Sequence, residues 1–100
     1  MSISAESLSF DSLTLSVVVP VYNERDSLVQ LVDELQAGVR SSVSSYEIIF
    51  VDDGSTDDSW KKIEELASRE TVVSGIRLRR NFGKAAALTA GMKVATGKDR

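Results

Sequence analysis

The side chains able to do chemistry in this 100-residue sequence gather in three places. Tyr22, Asn23 and Glu24 follow one apolar run, Asp52 and Asp53 follow a second, and Arg79, Arg80, Asn81 and Lys84 follow a third. An aromatic ring, several carboxylates and several cations form a set that suits a nucleotide. The ring can pack against a base, and a carboxylate can accept hydrogen bonds from base N–H or ribose hydroxyl groups. Cations, or a metal ion held by carboxylates, can offset phosphate charge.

Composition removes several other chemistries. The chain has no Cys and no His. It therefore forms no disulfide and no thiolate, and a zinc site lacks its usual ligands. A Ser-His-Asp or Cys-His arrangement cannot be built from this chain alone. A bound metal would take oxygen ligands, which favours Mg²⁺ or Mn²⁺. Twelve Lys and Arg against fifteen Asp and Glu give a net charge of −3, which argues against a nucleic-acid partner. Arg77, Arg79, Arg80 and Lys84 form the one basic cluster, which by charge alone reads as a solvated face. Apolar residues at 42% and charged residues at 27% fit one ordinary globular domain. Residues 1–12 carry Glu6 and Asp11 and no long apolar run, unlike a secretory signal. The longest apolar run, 17–22, is far short of the ~20 residues of a membrane helix. A soluble segment on the cytoplasmic side is the expectation.

The elements that must position the three clusters follow from hydrophobic spacing. Residues 1–13 are Ser-rich and weakly patterned, and read as a flexible arm before a domain over 14–100. Residues 15–21 and 46–51 are short β-branched or apolar runs, which suits strands buried on both faces. Pro20 lacks an N–H and belongs near its strand's end. Leu28, Leu31, Val32, Leu35 and Val39 share one helix face, with Asn23 as a plausible N-cap and a Ser-rich break over 41–45. Trp60, Ile63, Leu66 and Ala67 give a second helix its apolar face, and Ser55 and Asp58 have capping-box spacing before it. A weaker strand over 72–78 leads to a small-residue helix over 84–95, with Gly97 as its stop.

The order β-α-β-α-β-α predicts an α/β, Rossmann-like fold with parallel strands. Ligands of open α/β sheets bind beyond the carboxyl ends of the strands, where all three clusters fall. Each cluster alone also has an ordinary structural reading. Tyr22 can cap the core edge, Asn23 and Glu24 can cap a helix, Asp52 and Asp53 can serve a turn, and Gly83-Lys84 can be a turn with a surface charge. The functional reading rests on their convergence. The familiar phosphate loops are missing. Five residues separate Gly91 from Gly97 where a P-loop has four, and Asp99 replaces its Ser or Thr. No Gly-x-Gly-x-x-Gly follows the first strand.

Val19-Pro20-Val21-Tyr22-Asn23-Glu24 and Val51-Asp52-Asp53-Gly54-Ser55-Thr56-Asp57 resemble the two opening motifs of family-2 inverting glycosyltransferases, which have the GT-A fold. The stretch from Arg79 to Gly91 resembles the branch that moves sugars onto polyprenyl phosphates, such as dolichyl-phosphate mannose synthases and bactoprenol glucosyltransferases. The resemblance covers about residues 15–98 and implies the N-terminal part of a GT-A fold. It places Pro20, Tyr22, Glu24, Val51 and Asp53 in the nucleotide site, Asp52 in support of the turn, and Arg80 and Lys84 on the diphosphate side. It implies a UDP- or GDP-sugar donor, a polyprenyl-phosphate acceptor and a Mg²⁺ or Mn²⁺ cofactor. The metal-binding Asp-x-Asp, the catalytic base, the acceptor half and the membrane helices of that branch would lie beyond Arg100. On that expectation this chain holds no catalytic residue of its own, and membrane contact comes only through the missing C-terminal part. The alternative is a non-catalytic nucleotide-binding module or an inactive truncated fragment.

Overall fold

The computed structural model describes residues 15–39 and 45–95. The expected arm over 1–13, most of the Ser-rich break and the stop at Gly97 lie outside the described residues. Three parallel strands, β1 (Leu15–Val21), β2 (Tyr46–Asp52) and β3 (Val73–Arg77), form a sheet in the order β1-β2-β3. Val19 lies opposite Phe50, and Ile48 lies opposite Val73. A 3₁₀ turn (Arg25–Ser27) leads into α1 (Leu28–Val39), and α2 (Ser59–Arg69) and α3 (Lys84–Val94) complete the expected alternation.

The apolar run of β2 is explained by what covers it. Ile48 and Phe50 face one side and pack with Leu28, Val32, Ile63 and Leu66 under α1 and α2. Ile49 and Val51 face the other side and pack with Ala87 and Ala95 under α3. A strand covered on both faces has no polar side to present, so it reads as a continuous apolar stretch. Each buried Val, Leu, Ile or Phe side chain among these stabilises the fold by about 1.5–3 kcal/mol, and the alanines by less.

The third helix decides where a ligand can sit. α1 and α2 cover one face while the strands step from β1 to β3. α3 then returns across the opposite face, over β2 and β1. Its small residues permit the close approach. A Cβ on Gly91 would lie 2.4 Å from Val18 Cγ1 and 3.0 Å from Val51 Cγ2. The winding therefore reverses at β1, and such reversal points open a crevice at the carboxyl ends of the strands.

Three local expectations change in the structure. β3 is one residue shorter at each end than the 72–78 run, although its ladder with β2 still reaches from the Ile48 N–H on the Val72 carbonyl at 2.8 Å to the Leu78 N–H on the Asp52 carbonyl at 2.9 Å. Asn23 does not cap α1, since the 3₁₀ turn intervenes and the Asn23 side chain binds residues 56 and 57. Ser55 and Asp58 form no capping box. The Ser55 hydroxyl accepts the Asn23 N–H, and the carboxylate that receives the Ser59 N–H at the start of α2 is Asp57. Among the described residues, no helix is long and apolar enough to cross a membrane.

Candidate functional site

A cleft of 440 Å³ opens at the winding reversal, lined by Pro20, Val21, Tyr22, Glu24, Asp53, Asn81, Gly83 and Lys84. Its floor is the end of β1, extended by the Asp53 N–H bonding to the Val21 carbonyl at 2.8 Å. Its walls are the loop after β1 and the start of α3. Tyr22 is 46% exposed, so its ring is available to a flat ligand. Lys84 opens α3, where its charge adds to the positive end of the helix dipole.

The paired aspartates have different surroundings. Asp52 is fully buried. Its Oδ1 accepts the Ser55 N–H at 3.0 Å, which tightens the turn. Its Oδ2 has no hydrogen-bond partner among the described residues and lies 4.0 Å from Arg77 Nε. Asp53 faces the cleft at 4% exposure. Its two oxygens accept the Phe82 N–H at 2.8 Å and the Gly83 N–H at 3.0 Å. The Asn81 side chain donates to the Asp53 carbonyl at 3.3 Å. Gly54 makes this approach possible. It has φ +77°, and a Cβ there would stand 2.4 Å from Arg80 C and Asn81 N. Each Asp53 oxygen keeps a lone pair, so the carboxylate can still accept from a ligand.

The loop after β1 is fastened to the loop after β2. Asn23 adopts φ +53°. Its Oδ1 accepts the Thr56 N–H at 2.8 Å and the Asp57 N–H at 3.2 Å. Its own N–H donates to Ser55 Oγ at 2.8 Å, and the Glu24 N–H donates to the buried Ser59 Oγ at 3.0 Å. Tyr22 and Glu24 are thereby held on either side of a bonded residue.

Of the seven residues expected in the site, five line this cleft: Pro20, Tyr22, Glu24, Asp53 and Lys84. The structure does not bring the other two there. Val51 is fully buried in the core beneath α3. Arg80 turns outward and stacks its guanidinium 4.3 Å from the centre of the exposed Phe82 ring. Asn81 and Gly83 line the cleft without having been assigned a role. The signal for Asn81 was its position between two rim residues, but its partner is 28 residues away and leaves no local pattern.

The described residues do not assemble a cation site. They contain no group of three or more acidic, His or Cys side chains placed to hold a metal ion. Of the paired aspartates, Asp52 is sealed from solvent.

A family model described as glycosyl transferase family 2 matches residues 16–98. The chain belongs to this family. Curated relatives include an undecaprenyl-phosphate 4-deoxy-4-formamido-L-arabinose transferase of Proteus mirabilis (strain HI4320). It is 45% identical over 84 residues, which are 83% of this chain and 26% of that protein. A dodecaprenyl-phosphate galacturonate synthase of Rhizobium johnstonii is 42% identical over 88 residues, 87% of this chain and 26% of that protein. A mannosyltransferase of Pyrobaculum calidifontis, solved in complex with GDP-Man and Mn²⁺, superposes with a TM-score of 0.62 and 25% identity. The match covers 82% of this chain and 24% of that one. The family-2 chain thus spans about a quarter of the length of these relatives. The α/β Rossmann-like fold with three parallel strands, expected as the N-terminal part of a GT-A fold, agrees with this likeness.

Proposed function

We propose that this chain is the donor-binding portion of an inverting glycosyltransferase. The full-length protein transfers a sugar from a nucleotide-diphospho-sugar, a UDP- or GDP-sugar, to an acceptor, polyprenyl phosphate. The observation that carries this reading is the cleft at the winding reversal, with an exposed ring, a held carboxylate and a lysine on one rim. The Tyr22 ring packs on the base. Asp53 accepts a hydrogen bond from the base or ribose, and Glu24 offers a second acceptor. Lys84, at the start of α3, faces the diphosphate, with Arg80 as a weaker candidate beside it. The names of the relatives, sugar transferases onto undecaprenyl and dodecaprenyl phosphates, support the acceptor class.

A divalent cation, Mg²⁺ or Mn²⁺, belongs to the proposal for the full-length protein. Its ligands fall outside the described residues, so no step here depends on it. The chain's own residues bind and orient the donor. The acceptor is already an anion, so attack at the anomeric carbon requires no strong general base. The reaction is proposed to take place at the cytoplasmic face of the membrane.

Isothermal titration of the full-length protein with UDP and with GDP tests the reading. Saturable binding of one nucleotide over the other supports it and names the base. Absence of binding to both, with and without Mn²⁺, overturns it.

A further inference from the structure

We infer that Asn23 is a positioning residue for the nucleotide, acting through the two cleft residues that flank it. The inference rests on the nucleotide reading above. Asn23 touches no wall of the cleft, yet it stands between Tyr22 and Glu24, which do. Its backbone is in the left-handed region at φ +53°, which Asn tolerates better than most residues. In that conformation its side chain turns away from the cleft and crosses to the neighbouring loop. One oxygen there accepts the Thr56 N–H at 2.8 Å and the Asp57 N–H at 3.2 Å, with the Thr56 hydroxyl at 3.4 Å. The Asn23 and Glu24 N–H groups reach Ser55 of the same loop and Ser59 at the start of α2. Four backbone N–H groups are thus satisfied across one seam, two from each loop.

The consequence is preorganisation. Tyr22 and Glu24 are exposed, and among the described residues neither side chain makes a hydrogen bond that would fix it. Their separation is set by the backbone of residue 23. Freeing that backbone leaves the ring and the carboxylate to be ordered by the ligand, which lowers affinity without removing any contact. Sequence context alone suggests a helix cap at this position. The long-range partners, 33 and 34 residues away, give the residue its role.

Three full-length variants, titrated with the nucleotide that the wild type binds, test this. Asn23→Gly keeps the left-handed backbone accessible and removes the acceptor. Asn23→Asp keeps both, and is measured in high salt so that its extra charge is screened. Ser55→Ala weakens the seam from the opposite loop by removing the acceptor of the Asn23 N–H, with the Asn23 side chain unchanged. Asn23→Gly is expected to weaken binding about tenfold, Ser55→Ala about threefold, and Asn23→Asp less than threefold. In turnover, the donor KM of Asn23→Gly rises while kcat stays near the wild-type value, as for lost uniform binding. Equal binding by wild type, Asn23→Gly and Ser55→Ala overturns the inference and leaves the nucleotide reading standing. A loss in Asn23→Asp as large as in Asn23→Gly overturns the acceptor role. Absence of nucleotide binding by the wild type itself overturns the reading on which the inference rests.

Discussion

On one side of the cleft, the loop after β1 is fastened to the loop after β2 and the start of α2 by bonds that are mostly exposed to solvent. On the other, β2 is fastened to the start of α3 by a carboxylate that is 4% exposed. The first seam uses Asn23, Ser55 and Ser59, and most of its bonds compete with water. Each such bond contributes about 0.5–1.5 kcal/mol. The second seam uses one charged group and two backbone N–H donors, for which about 1.5–3 kcal/mol per bond is typical. The exposed seam spreads its hold over several weaker bonds, so no one of them carries it. The buried seam concentrates its hold in one carboxylate and fixes the floor of the cleft.

The largest effect is therefore expected at Asp53. Asp53→Ala leaves the Phe82 and Gly83 N–H groups without acceptors, so urea unfolding should report a loss of about 2–4 kcal/mol. Nucleotide binding in the full-length protein should fall more than tenfold. Asp53→Asn should rescue little, because whichever way the amide is placed its NH₂ faces a backbone N–H. Asp52→Ala disturbs the turn at Ser55 but should leave nucleotide affinity within about threefold, since Asp52 is sealed from the cleft. Equal binding losses at the two aspartates would erase the distinction between them.

Gly54 sharpens the same seam from beneath. Its positive φ, and the 2.4 Å at which an added Cβ would stand from Arg80 C and Asn81 N, leave no room for a methyl group. Gly54→Ala should cost about 2–3 kcal/mol by denaturant titration. Faster hydrogen exchange at the Phe82 and Gly83 amides should accompany it. A stability loss with unchanged exchange at those two amides would show that Asp53 holds α3 without help from the turn.

Much of this architecture was legible in the residues. Ile48 to Val51 read as a buried strand, which the structure covers on both faces, and the small residues of α3 permit the close packing seen at Gly91. Asp52 was readable as a turn residue because its partner, Ser55, lies three residues on. What stayed hidden depended on distant partners. Asn23 looks like a helix cap beside Glu24 and Asp26, and Ser55 looks like one beside Asp58, because caps are local and the sequence displays only local spacing. The Phe82 and Gly83 amides that hold Asp53 carry no side-chain signal at all. Arg80 is a cation at the right place in the chain, but Phe82 two residues on gives it a surface to stack on outside the cleft.

The smallest effect expected belongs to the exposed seam and is read by pH. The Asp57 carboxyl is held below its ordinary value of 3.8, first by the Ser59 hydroxyl and then by the Ser59 backbone N–H, with desolvation opposing both. A carboxyl with a lowered folded-state pKa adds stability above its unfolded value and loses it as pH falls through the folded one. The Ser59 amide resonance should therefore titrate with a midpoint below 3.8, and the start of α2 should loosen only in that acid range. Asp57→Asn keeps an oxygen acceptor for the Ser59 N–H but has no proton to gain, so the helix start should survive and the titration should vanish. If the titration persisted in Asp57→Asn, a different carboxylate would be reporting, and the acid response could not be assigned to this seam. If it vanished and Asn23 lost its hold on the Thr56 amide in the same acid range, the two loops would be shown to open together.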